Sequence, residues 1–192
     1  MMIFLILLPF GAFSLLMLVT SAETALFSSA ATGLAVIAWE AFRGRQLKML
    51  GAGSVVLFLG LGCYLTLIDG GLSASAIKLT VDAGVLVIAL VSLAIRHPFT
   101  LQYAREVVDA ETLALPGFLK ANYIMTWAWA ACMALMMAGN ILMIYLPGLP
   151  IWAGIAIAFA ARNSTVYFTK WYPEYRKAKY GTPAANALPG TH

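Results

Sequence analysis

Leu50-Gly51-Ala52-Gly53-Ser54-Val55-Val56-Leu57-Phe58-Leu59-Gly60-Leu61-Gly62-Cys63-Tyr64-Leu65-Thr66-Leu67-Ile68 runs nineteen residues without a charge. Lys48 stands before it, and Asp69-Gly70-Gly71, a strong turn signal, closes it. As a helix rising about 1.5 Å per residue it would span roughly 28 Å, close to the ~30 Å hydrocarbon core of a bilayer. A membrane strand would alternate apolar and polar residues over about ten positions. This run is apolar on all sides and about twice that length. A helix also closes its backbone hydrogen bonds within the segment, as hydrocarbon requires.

The rest of the chain repeats the pattern. Apolar segments cover roughly Met2–Thr20, Ala25–Phe42, Leu72–Ile95, Ala121–Tyr145 and Ile151–Phe168. The breaks between them are Ser21-Ala22-Glu23-Thr24, Arg43-Gly44-Arg45, Arg96-His97-Pro98 and Leu146-Pro147-Gly148-Leu149-Pro150. Only 10% of the 192 residues are charged, against about a quarter in a soluble domain, so a soluble surface could not be covered. The expectation is an all-α, polytopic membrane bundle of about six transmembrane helices, one integral domain over residues 1–192, with a flexible tail over residues 180–192. The opening lacks the basic region of a signal peptide, so segment one reads as a mature helix. Were it cleaved or unable to span, five crossings would remain.

Lysine and arginine set the expected orientation. Arg43, Arg45 and Lys48 lie between segments two and three, Arg96, Arg105 and Lys120 between four and five, and Lys170, Arg176, Lys177 and Lys179 in the tail. The other side has only Lys78, with Glu23 and Asp69. The positive-inside rule then places both termini in the cytoplasm. Trp39, Trp127, Trp129, Trp171 and Tyr172 fall near that level, and Tyr145 and Trp152 near the outer one, where amphipathic rings settle.

Residues 99–115 form the longest polar stretch. Phe99, Tyr103, Val107 and Val108 recur at helical spacing opposite Gln102, Arg105, Glu106 and Asp109. This predicts one short amphipathic helix on the membrane surface, with a solvated loop as the competing reading. Cys63 and Cys132 sit in apolar runs without metal-type spacing and read as buried reduced thiols.

Two charges stand inside apolar runs. Asp82 and Arg162 each lie about 15–17 Å from the outer end of their segments, near the midplane. A lone charge there costs at least about 2.5–3.5 kcal/mol, which pairing would offset. An Asp82–Arg162 contact is therefore expected as a structural lock. Asp82 could instead pair with Lys78 one turn away or be protonated, and Arg162 could snorkel. Asn140 and Asn163 read as interhelical hydrogen-bond formers. Glu40, beside Trp39, reads as a boundary residue open to solvent.

No Ser/His/Asp set, zinc motif or phosphate loop is present in the sequence. Neither a cofactor nor a metal is expected, since His97 lies at a boundary and His192 ends the chain. No basic face on a soluble module suggests nucleic acid.

Several stretches resemble the intracellular septation protein A family of bacterial inner-membrane proteins. Phe4-Leu5-Ile6-Leu7-Leu8-Pro9 is similar to that family's opening, and Trp39, Phe42-Arg43 and Leu47-Lys48-Met49 follow in its order. Ile77-Lys78-Leu79-Thr80-Val81, His97-Pro98, and Asn140 with Tyr145-Leu146-Pro147 fall in corresponding places. Asp82, Arg162 and the tail depart from the pattern, and the surface segment is longer. The resemblance implies a non-enzymatic protein of envelope maintenance and septation, whose partners are the lipid bilayer and other inner-membrane proteins of division or wall synthesis. The alternative is a small proton-linked transporter or channel using Asp82 and Arg162. A lipid-modifying enzyme is a third reading, without a nucleophile and base to name.

Overall fold

Each apolar run becomes a helix. The computed structural model describes residues 2–68, 70–115, 117–146 and 148–180, and among these all regular structure is helical. The order is α1 (Met2–Leu16), α2 (Ala22–Phe42), α3 (Met49–Leu67), α4 (Ala74–Ala94), α5 (Phe99–Ala104), α6 (Ala110–Ala114), α7 (Phe118–Tyr145) and α8 (Ile151–Tyr180). The tail expected to be flexible lies, from residue 181 onward, outside the described residues.

Local chemistry sets the boundaries. Ser21 caps α2 by accepting from the Thr24 N–H at 3.3 Å, and Ser73 caps α4 through the Ala76 N–H at 3.2 Å. Gly44 takes φ +69° just past α2, the left-handed turn glycine makes without penalty. Arg96 closes α4 with φ 59°, and Pro98 follows to prevent continuation.

Consecutive long helices pack side by side and run antiparallel. Along α2 and α3, Gly33 faces Val55 while Phe27 faces Gly62, so residue numbers rise on one helix as they fall on the other. Gly53 against Ile88 and Gly84 against Leu57 give the same pattern for α3 and α4. Gly139 against Ile157 and Gly154 against Met143 give it for α7 and α8. These glycines let the backbones approach closely. α7 also lies along α4, and α1 covers α2 and part of α3. Phe10 and Phe13 pack with tilted rings on the fully buried Phe58, at centroid distances of 5.4 and 5.5 Å.

The distribution of side chains is compatible with a bundle embedded in lipid. Ser29, Ser54, Ser92, Asn122 and Thr126 are fully buried, while Val56, Leu67, Val87 and Leu135 face outward. In water such an outer surface would drive aggregation; hydrocarbon is its natural solvent.

Among the described residues four helices, α2, α3, α4 and α7, are long and apolar enough to cross a membrane. The other two expected crossings differ for physical reasons. α1 has 15 residues and rises only about 22 Å. α8 has 30 residues but carries Arg162, Asn163 and a charged second half. The expected single surface helix is also replaced by two short ones. The chain turns at residues 105–108, and Asp109 starts α6 by accepting from the Thr112 N–H at 2.7 Å. Of the two cysteines, Cys132 is buried as expected, but Cys63 is exposed on the outer face of the bundle.

Candidate functional site: a buried charge network at the basic end

Glu40 lies in the last turn of α2, and Lys48 immediately precedes α3. The antiparallel hairpin sets them opposite each other across the Gly44 turn. Both are buried, and the Lys48 ammonium bonds the Glu40 carboxylate. The same ammonium lies 3.1 Å from Glu106 Oε2 and 5.1 Å from the centre of the Tyr103 ring. Arg45 Nε is 4.0 Å from Glu106 Oε2. Two acids and two bases thus close on one another, the neutral grouping that makes burial of charge tolerable. Glu106 Oε2 receives no aligned hydrogen bond, so its attraction to Lys48 is Coulombic.

The segment that brings in Glu106 and Tyr103 is held independently. Gln102 Oε1 accepts the Met49 N–H at 2.7 Å, satisfying one of the open donors at the start of α3. Ser92 Oγ accepts the Phe99 N–H at 3.2 Å. The Thr100 hydroxyl bonds the Asn122 carbonyl at 2.8 Å and the Thr126 hydroxyl at 2.7 Å, deep between α5 and α7. Phe99, Thr100 and Leu101 are buried. The first half of the expected surface helix is therefore tucked into the bundle, and only its later residues, Arg105 among them, are exposed.

Burial pushes the Tyr103 phenol far above its ordinary range, and the carboxylates of Glu40 and Glu106 add to the effect. Tyr103 therefore stays a neutral hydroxyl. Behind it lies a cavity of about 20 Å³ lined by Pro9, Gly33, Ile37, Gly51 and Ser54 together with Glu40 and Lys48. That is room for about one water molecule. Among the described residues no three His, Cys, Asp or Glu side chains converge to hold a metal ion. The chemistry available here is clamping by charge.

The intramembrane residues are arranged differently from expectation. Asp82 does not form an ion pair with Arg162 or with Lys78; the Asn140 side-chain amide donates to its carboxylate and joins α4 to α7. The reason is position. Asn140 lies beside Gly139, which faces Ile157, so Arg162 stands five residues further along α8, roughly 7 Å toward the basic end. α8 also packs on α7, which stands between it and α4. Arg162 and Lys78 are exposed. Asn163, expected to bridge helices, is exposed and bonds its own helix through the Phe159 carbonyl at 2.7 Å. Asn140 alone makes the interhelical bond expected of both. Trp129 adds another between α7 and α8, donating to Thr169 Oγ1 at 3.0 Å.

The buried network was not anticipated from the residues. Its signal was nonetheless present: an acid and a base eight positions apart, flanking a glycine turn between two apolar runs, must come level in an antiparallel hairpin. No family model, curated protein or solved structure matches the chain.

Proposed function

We propose that the chain is a multi-pass protein of the bacterial inner membrane that serves envelope maintenance and septation through contacts with other membrane proteins, without catalysing a reaction. In this reading α1 and α8 cross beside the four long apolar helices, giving six crossings with both termini in the cytoplasm. The concentration of lysine and arginine at one end supports that orientation, and the resemblance in residue order supports the septation role.

One observation carries the contact mechanism. α8 packs along α7, and its other sides present Arg162, Asn163 and Ser164 midway along its apolar half, beside exposed Phe159 and Tyr167. Lipid tails offer no partner to the Arg162 guanidinium or to the part of the Asn163 amide not bonded to Phe159, whereas a neighbouring protein helix can supply one. The test is a photo-crosslinking residue at Phe159, with Val56 on α3 as the control. The expected result is a protein adduct from Phe159 containing a division or wall-synthesis membrane protein, and lipid adducts alone from Val56. Lipid adducts alone from both positions would remove the basis for the reading.

A further inference from the structure

The turn that delivers Glu106 to the buried network also forms one wall of an open groove of about 410 Å³. The groove is lined by Leu101, Leu113, Leu115, Phe118 and Leu119, with Arg105 as its charged member. Leu113, Leu115 and Leu119, which line it, are substantially exposed. Arg105 is exposed, and among the described residues no carboxylate lies within ion-pair distance of it. The groove opens one turn before the apolar run of α7, where lipid headgroups meet hydrocarbon.

We propose that this groove seats one anionic phospholipid, with its upper acyl chain along the leucines and its phosphate on the Arg105 guanidinium. The apolar wall accounts for the chain, since burying methylenes removes them from water. The guanidinium accounts for the phosphate, which it grips with two parallel N–H donors. The sign of the surroundings selects the headgroup. Bases outnumber acids across this end of the bundle, so a headgroup carrying its own ammonium is disfavoured against one with net negative charge. A single polar contact on an otherwise leucine-lined surface also fits an amphiphile better than a soluble anion, which would leave the leucines uncovered.

The assignment rests on this end of the chain lying at a lipid surface, and not on any role in septation. The test uses the full chain in detergent, titrated with phosphatidylglycerol or phosphatidylcholine and read by native mass spectrometry. The expected result is one tightly retained phosphatidylglycerol, preferred over phosphatidylcholine by roughly fivefold or more. Arg105→Gln should bring the two lipids to parity, and Leu119→Asp, which puts a carboxylate in the wall, should lower retention of both. Lys120→Gln, outside the groove, should keep the preference. Equal retention of both lipids by the natural chain, or an undiminished preference in Arg105→Gln, would overturn the proposal while leaving the membrane reading intact. A chain that stays soluble and folded without detergent would overturn both.

Discussion

The charges at the basic end and the charges midway along the helices have exchanged the roles their positions suggest. Glu40 and Lys48 sit at helix ends, where a chain ordinarily meets water, yet both are buried and paired. Arg162 sits in the middle of an apolar run, yet it is exposed, and Asp82 bonds a neutral amide rather than the arginine. The lesson is that depth along a helix does not determine burial. Burial follows from which face a residue occupies and which neighbour covers it. The α5 segment covers Glu40 and Lys48, whereas among the described residues α8 packs chiefly on α7 and leaves Arg162 exposed.

The largest effect that would break this contrast is expected at Lys48. Lys48→Met leaves the buried Glu40 without its cation and Glu106 with only Arg45 at 4.0 Å, and removing one partner of a buried pair costs about 3–5 kcal/mol. Unfolding of the detergent-solubilised chain should show that loss. A cost no larger than that of a typical surface substitution would mean the network is solvated.

The middle of the bundle should respond less and unequally. Asn140→Leu removes the hydrogen bond from α7 to the Asp82 carboxylate on α4, an interaction of about 0.6–1.7 kcal/mol in membrane proteins. Arg162→Gln should change stability by less than about 0.5 kcal/mol, because no ion pair is lost. Equal and large losses from the two variants would mean that Asp82 and Arg162 act as a pair, although they are not within ion-pair distance here.

Thr100→Val tests the seat of α5 rather than its charges. It deletes the hydroxyl that bonds Asn122 and Thr126, for a cost of about 1 kcal/mol, and should speed amide exchange at Phe99–Ala104. The smallest effect is expected at Asp109. Its hydrogen bonds to Thr112, with a smaller contribution from the charge of Lys177, hold the carboxyl below its ordinary range. A depressed folded value means the cap is fully effective above the ordinary carboxyl range and is lost as pH falls through the lowered one. The protection of the α6 amides, their rate relative to an unstructured chain at the same pH, should therefore fall on acidification, and Asp109→Ala should make it low at every pH.

Much of the fold was legible in the sequence because hydrocarbon imposes simple rules. Long uncharged runs such as Leu50–Ile68 announce helices, and Ser21, Gly44 and Pro98 mark where helices begin and stop. What could not be read was the third dimension. The alternation of Phe99, Tyr103 and Val107 is correct for an amphipathic helix, but Asp109 has a better use as a cap, and its turn divides the segment. Phe99 and Leu101 then find the core rather than the membrane surface. Asp82 and Arg162 look level when each is counted from the start of its own run. α4 begins at Ala74 rather than Leu72, and the contacts of Gly139 place Arg162 further along. The Glu40–Lys48 pairing is hidden in the sequence because each residue, taken alone, fits the expected belt of boundary charges.

The clamp between α5 and the α2–α3 hairpin is tested most directly by a double-mutant cycle on Lys48→Met and Glu106→Gln in the full chain. Residues coupled through a charge network should show an interaction energy of about 0.5–3 kcal/mol, so that the second substitution costs much less once the first is made. Strict additivity of the two would contradict the clamp, because it would mean that Lys48 and Glu106 do not sense each other.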